Sequence, residues 1–295
     1  MPRTENKVLP WLLISPAAAI VFCVMFYPLM YSFYISLHNL MLNQPEAMEF
    51  IRFGNYLRLL NDPLFLRSMG LTLYFVGLSV FLQLIVGMAM ALVLNEPLKG
   101  RGWVRALLVL PWALPGTVVG GIWRWIYHAD YGLINGLLRI LGVLKGSLLW
   151  LGPGMALNAV VFAEVWRMAP FAGLMLLAGL ATIPRQLYDA ARVDGATGWQ
   201  IFWYITLPLL KPTIGIILVM RTMFAFQNLE LVYVLTKGGP GTQTYLLPYY
   251  MYTVSFNQLQ AGYGSAMAYG ITILIALVCG IYLLTLSLSE RRVEA

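Results

Sequence analysis

Between Trp11 and Leu37 the chain runs for more than 25 residues without a charged side chain, and the stretches Ser68 to Leu94 and Tyr263 to Leu288 repeat the feature. A hydrocarbon layer about 30 Å thick needs about 20 mainly apolar helical residues to cross it, so such runs read as membrane-spanning helices. Three more candidates carry one or two charges each: Ala106 to Tyr127, Met155 to Ile183 and Thr213 to Thr236. Six spans place both termini on one side of the membrane. The first run is too long for the h-region of a cleaved signal, so it counts as a retained span.

Composition agrees. Hydrophobic residues make up 60% of the 295 and charged residues only 11%, against about 25% charged in a soluble domain, which excludes a water-soluble enzyme. The net charge of +7 includes no block of like charges that tracks a phosphate backbone. It reports topology instead. Arg3, Lys7, Lys99, Arg101, Arg105, Arg185, Arg192, Lys211, Arg291 and Arg292 fall on the side of the termini. Arg52, Arg58, Arg67, Arg139, Lys145 and Lys237 fall on the other. The excess predicts cytoplasmic termini. Cys23 and Cys279 lie in separate apolar runs and read as small hydrophobes. His38 and His128 are too isolated for a metal site.

Of the loops, His38 to Arg67 and Lys237 to Gly262 are long and hold apolar stretches suited to short interfacial helices, while Asn95 to Val104, with Pro97, Gly100 and Gly102, reads as a turn. The segment Pro184 to Pro212 is long, mixed in charge and rich in helix formers. It suits a partner contact or a helix lying at the headgroups. Glycines 195 and 198 divide it into two short helices, with Ala190 and Ala191 offering little bulk and Trp199, Phe202 and Trp203 an apolar face.

In that segment Ala190, Ala191, Gly195, Ile205, Leu207 and Pro208, preceded by Asp189 and with Asp194 and Ala196 flanking the glycine, follow the spacing E-A-A, three residues, G, nine residues, I-x-L-P. The chain thereby resembles the membrane permeases of binding-protein-dependent ATP-binding-cassette importers, with Asp189 standing where the family carries Glu. The resemblance implies an all-α, polytopic protein with the type I importer permease fold. It implies one transmembrane permease domain over residues 1–295, with coupling helices at about 184–212 that dock on a cytoplasmic ATPase. Thr236 to Gly241, followed by Leu247, Tyr250, Gly262, Tyr263 and Gly264, resembles the outer loop of maltose-type and glycerol-3-phosphate-type permeases, and with Phe53 to Tyr56 extends the likeness over nearly the whole chain. The likeness is to the subunit related to the larger maltose permease subunit.

Charges inside a bilayer cost at least about 2.5 kcal/mol each on insertion scales, so Glu164, Arg167, Arg221 and Glu230 require partners or a wet cavity. Glu164 and Arg167 are three apart and suit a local pair, whereas Arg221 and Glu230 are too far apart to meet. Sugars stack on aromatic faces and exchange hydrogen bonds with planar polar groups. The fourth span offers Trp166, Met168 and Phe171 around Pro170; the fifth offers Arg221, Phe224 and Asn228 at helical spacing on one face, with Gln227 beside them. The resemblance implies that Trp166, Phe171, Phe224 and Asn228 contact sugar, and that Arg221 takes the place of a small hydroxyl residue, either contacting an altered ligand or capping Glu164. Helix packing accounts for the same aromatics without a ligand. Trp103, Trp112, Trp123 and Trp125 read mainly as interfacial anchors.

No phosphate-cradling G-x-x-x-x-G-K-[ST] occurs and no nucleophilic constellation is present, so the chain is expected to hydrolyse nothing itself. The resemblance implies that ATP and Mg bind two partner ATPase subunits, and that a second permease and an extracytoplasmic sugar-binding protein complete a complex in a prokaryotic cell membrane. Glycerol-3-phosphate or another solute is the alternative cargo, a proton-coupled carrier the alternative energy source, and an enzyme acting on lipid-linked sugars the alternative class.

Overall fold

The computed structural model describes residues 9–96 and 99–294. Arg3, Lys7 and Pro97 lie outside them, as do the side chains of Arg101, Arg291 and Arg292. The described chain is helical with one small hairpin, and it divides into two compact units.

The first unit holds the chain up to Pro63 together with Met251–Thr272. Helix α1 (Leu9–Val21) passes through a widened turn at Phe22–Phe26 into α2 (Tyr27–Ser36). Strands β1 (His38–Asn39) and β2 (Glu49–Phe50) then pair antiparallel, His38 opposite Phe50. A short amphipathic helix α3 (Gly54–Asn61) follows, buried through Asn55 and Leu59.

The second unit holds Leu64–Tyr250 and the chain from Ile273. Its helices are α4 (Pro63–Asn95), α5 (Arg101–Ala113), α6 (Gly116–Ile126), α7 (Leu133–Ile140), α8 (Ala156–Ala181) and α9 (Arg185–Val193). A second run comprises α10 (Gly198–Ile201), α11 (Leu207–Leu209), α12 (Lys211–Phe226), α13 (Glu230–Leu235) and α14 (Leu247–Tyr252). The final helix, α15 (Ala261–Glu294), begins in the first unit. Helix α8 is central, with Val160, Val161, Ala163 and Ala169 packed in one cluster with Phe75, Val76 and Val80 of α4, Val119 and Trp123 of α6, and Leu231 and Val232 of α13. At the crossing of α4 and α8, a Cβ on Gly87 would stand 2.8 Å from the Gly173 nitrogen, so only hydrogen fits and the two backbones touch.

Among the described residues four continuous helices are long and apolar enough to cross a bilayer: Leu12–Ser36, Pro63–Asn95, Ala156–Ala181 and Ala261–Thr285. The count reaches six when each of two bent pairs is one span. Two expectations of continuous spans are corrected here. The third span breaks at Leu114–Pro115, where its two helices meet at 97°, because Pro115 lacks an N–H and holds Leu114 extended at φ −80°, ψ 135°. The fifth, expected over Thr213 to Thr236, starts at Lys211 after a 64° bend and ends at Phe226; residues 227–229 form a break before α13. Asn228 therefore does not share a helical face with Arg221 and Phe224, although it reaches the same place by another route.

Candidate functional site

The polar residues of the spans converge on Glu164, in the middle of α8. Its Oε2 accepts from Arg167 Nη2 at 2.8 Å, Arg167 Nε at 3.1 Å and Asn228 Nδ2 at 2.9 Å, while Oε1 accepts from Arg221 Nη2 at 3.0 Å. Arg221 in turn donates from Nε to Gln83 Oε1 of α4 at 2.8 Å. Glu164 and Arg221 are each 1% exposed and Gln83 is 0% exposed. A lone carboxylate at such a depth is prohibitively costly, and the four donated bonds are what make it tolerable. The knot joins α4, α8, α12 and the break at 227–229. Of the two roles open to Arg221, capping Glu164 is the one the contacts display.

Glu230, at the first turn of α13, lies against the start of α6. A Cβ on Gly116 would stand 2.7 Å from Glu230 Oε2 and 3.2 Å from Arg167 Nη1, so the glycine lets both charged groups approach the backbone. Two arginines and two glutamates thus occupy this region, and their formal charges cancel.

Over the knot opens a cavity of about 380 Å³. Trp112, Met168, Phe171, Met220, Phe224 and Leu229 supply its apolar wall; Arg167, Arg221, Gln227, Asn228 and Glu230 supply polar groups. Trp112 stacks obliquely on Phe171 with ring centres 5.6 Å apart. Phe224 is half exposed, and the Arg221 guanidinium lies 6.0 Å from its ring centre. The break at 227–229 builds the wall: Gln227 and Asn228 turn their N–H groups back to Phe224 and Ala225 carbonyls at 3.2 and 3.3 Å, closing the end of α12 and freeing the Gln227 and Asn228 side chains to point inward.

Of the sequence-derived candidates, Phe171, Arg221, Phe224 and Asn228 meet at this cavity. Trp166 does not line it. Neighbouring positions on α8 diverge by about 100°, and Trp166 meets Trp123 edge-on at 5.7 Å within the aromatic group that also holds Phe162. Trp112, assigned to interfacial anchoring from sequence, lines the cavity instead. Gln83 was overlooked, although its signal was present: it is the sole amide in the uncharged run Ser68 to Leu94.

The motif segment forms a separate, exposed element. Helix α9 ends where Gly195 adopts φ +79°, with Ala196 N–H donating to Ala191 O at 2.9 Å and Gly195 N–H to Arg192 O at 3.1 Å, the paired bonds of a glycine-terminated helix. Thr197 then caps α10 in a capping box with Gln200. The next helix is longer than expected, running from Gly198 to Leu209 before the bend. Asp189, Ala190, Asp194 and Gly195 are exposed and Ala191 and Ala196 half-buried, with Val193, Trp199 and Tyr204 left largely uncovered. A hollow of about 290 Å³ lies between the arms, lined by Asp194, Gly195, Ala196, Gln200, Ile201, Tyr204 and Ile205.

Residues 83–295 match the model of the binding-protein-dependent transport system inner membrane component family. The chain belongs to this family. Among its relatives, the trehalose/maltose transport system permease protein of Thermococcus litoralis is 41% identical over 267 residues, covering 90% of this chain and 89% of that protein. The sulfoquinovosyl glycerol transport system permease protein of Agrobacterium fabrum is 38% identical over 278 residues, covering 94% and 90%. The fold is similar to a chain of a bacterial alginate ABC transporter solved in complex with an alginate pentasaccharide-bound periplasmic protein, with a TM-score of 0.78 and 25% identity over 99% of this chain and 98% of that one. The motif register, the type I importer permease fold and the membrane location expected from sequence are all in keeping with membership of this family of membrane transport components.

Proposed function

We propose that this family member is one half of a two-permease pore for an uncharged carbohydrate, and that the cavity over Glu164 is where the cargo passes. The observation that carries the reading is the convergence of Trp112, Phe171 and Phe224 with Arg167, Gln227, Asn228 and Glu230 on one cavity, the combination of aromatic faces and planar polar groups that sugar recognition uses. The relative named for trehalose/maltose transport supports a neutral carbohydrate, whereas the one named for sulfoquinovosyl glycerol, a sulfonate-bearing sugar, supports a carbohydrate without supporting neutrality. The cancelling charges of Arg167, Arg221, Glu164 and Glu230 favour a neutral cargo over glycerol-3-phosphate.

The exposed element from Asp189 to Pro208, with Asp189, Ala190, Ala191, Asp194, Gly195 and Ala196 at its corner, is the docking point for a cytoplasmic ATPase. ATP and Mg bind there and not on this chain. A second permease completes the pore, an extracytoplasmic binding protein delivers the sugar, and both termini face the cytoplasm, as the ten basic residues on their side against six on the other support. ATPase closure moves the element as a rigid body and, through the bend at Leu210, tilts α12 and its cavity wall.

The test is ATP-driven uptake of labelled neutral and anionic sugars into vesicles holding this chain with its copurifying subunits. Uptake of a neutral sugar that glycerol-3-phosphate does not compete is expected. Uptake confined to the anionic solute, or proceeding on a proton gradient without ATP, overturns the reading.

A further inference from the structure

Helix α3 is fastened to the ends of two membrane spans of the first unit. Buried Asn55 donates from Nδ2 to the carbonyls of Ser36 and His38 at 2.8 and 2.9 Å, and the Ser36 and Tyr56 hydroxyls meet at 2.7 Å, so one side of α3 closes the end of the span Leu12–Ser36. Along its length the Arg58 guanidinium lies 4.0 Å from the Tyr263 ring centre and donates to Gln260 Oε1 at 2.9 Å. Just past the helix, Asp62 Oδ2 accepts from the Tyr263 hydroxyl at 2.6 Å. Tyr263 is in the first turn of the span Ala261–Thr285. These contacts hold α3 beside the last residues of the span Leu12–Ser36 and the first turn of the span Ala261–Thr285.

The opposite side of α3 is largely uncovered among the described residues, Phe53 meeting only the Tyr56 ring of its own turn, with centres 5.9 Å apart. Phe53, Leu57 and Leu60 follow one another at intervals of four and three, share one face, and are 62, 62 and 66% exposed; Phe50 of β2, three residues before Phe53, is exposed as well. The family relationship puts the spans in a membrane, so an apolar face at a span's end has an occupant available. The exposed apolar surface of the first span, including Leu29, Met30 and Phe33, leads up to this level with no charged residue between Leu12 and Phe50 other than Glu46 and Glu49 of the hairpin. Arg52, exposed at the entry to α3, has a stem long enough to keep its guanidinium among headgroup phosphates while the neighbouring phenyl ring sinks.

We infer that α3 is an in-plane membrane anchor whose Phe53, Leu57 and Leu60 face rests in the headgroup–acyl boundary of the lipid. It sets the depth of the two spans it ties together, a role separate from the cargo cavity and independent of which solute is carried.

The test places nitroxide labels at Leu57→Cys and Leu60→Cys, with Phe53→Cys in reserve should either fail to assemble, in a Cys23→Ala, Cys279→Ala background. The full chain, with its copurifying subunits, is reconstituted in phosphatidylethanolamine–phosphatidylglycerol vesicles. Glu46→Cys, exposed in the hairpin loop, is the aqueous reference. Electron paramagnetic resonance is then used to compare collisions with oxygen, which concentrates in lipid, and with a water-soluble nickel complex. Labels at 57 and 60 are expected to collide several-fold more with oxygen relative to nickel than the label at 46 does. Nickel-dominated collisions at 57 and 60 would place the face in water and overturn the inference. Protection from both reagents would place it under a protein partner, which overturns it equally.

Discussion

Arg221 and Gln83 lie 138 positions apart in the chain, yet the guanidinium Nε donates to the amide Oε1 at 2.8 Å in a fully buried setting. The bond carries the charge knot from α8 and α12 across to α4. Replacing Gln83 with Leu leaves a buried charged donor without its acceptor, a loss of about 1–3 kcal/mol. Thermal unfolding of the purified complex should show a lower midpoint for Q83L, and an unchanged midpoint would mean that water or another group takes over the bond.

Glu164 accepts four of the knot's hydrogen bonds, so its removal strands two arginines at once. Breaking a buried ion pair from one side costs about 3–5 kcal/mol. Glu164→Ala should therefore reduce the folded protein recovered from membranes far more than Q83L does. Adding Arg221→Ala should restore part of the loss. Size-exclusion chromatography of the extracted protein reads both effects.

Gly195 adopts φ +79°, a backbone region that costs a side chain about 1–2 kcal/mol, and it sits at the exposed corner of the docking element. Gly195→Val is expected to leave membrane insertion intact while abolishing ATP-driven uptake and the association of the ATPase. Normal uptake in this variant would remove the coupling role from the element.

Gly116 bears on the cavity from the side of α6. A methyl group there would stand 2.7 Å from Glu230 Oε2, so Gly116→Ala should push Glu230 off its position beside Arg167 at a cost of about 1–3 kcal/mol. Gly70, inside α4 with open space around its Cβ position, is the matched control, and G70A should leave thermal stability unchanged or raise it by up to about 1 kcal/mol.

The long uncharged runs were legible because nothing but a membrane or a very large core accommodates them, and the helices Pro63–Asn95, Ala156–Ala181 and Ala261–Glu294 appear where the composition placed them. The corner at Gly195 was legible too, since a helix ending between two alanine-containing arms calls for a residue that tolerates positive φ. The breaks were not. An average over some 20 residues is blind to a single Pro115, and at 227–229 no proline marks the turn: the helix ends because Asn228 finds a buried carboxylate in a different helix, 64 positions away. The exchange of Trp166 for Trp112 has the same origin. Both are tryptophans in apolar runs, and only the rotation of α8 and the corner at Leu114–Pro115 decide which of them faces the cavity.

Phe224 is half exposed inside the cavity, so truncating it tests the site with little risk to the fold. Phe224→Ala should raise the KM for sugar uptake about two- to tenfold, the scale of losing one stacking face, while assembly is retained.

Photocrosslinking addresses the cavity most directly. A neutral oligosaccharide carrying a diazirine is added to the energised transporter in vesicles, and the labelled peptides are read by mass spectrometry. Labels on Trp112, Phe171 or Phe224, suppressed by excess unlabelled sugar, are predicted. Suppressible labelling that spares all three, and falls elsewhere in the chain or on its partners alone, would contradict a cargo path over Glu164.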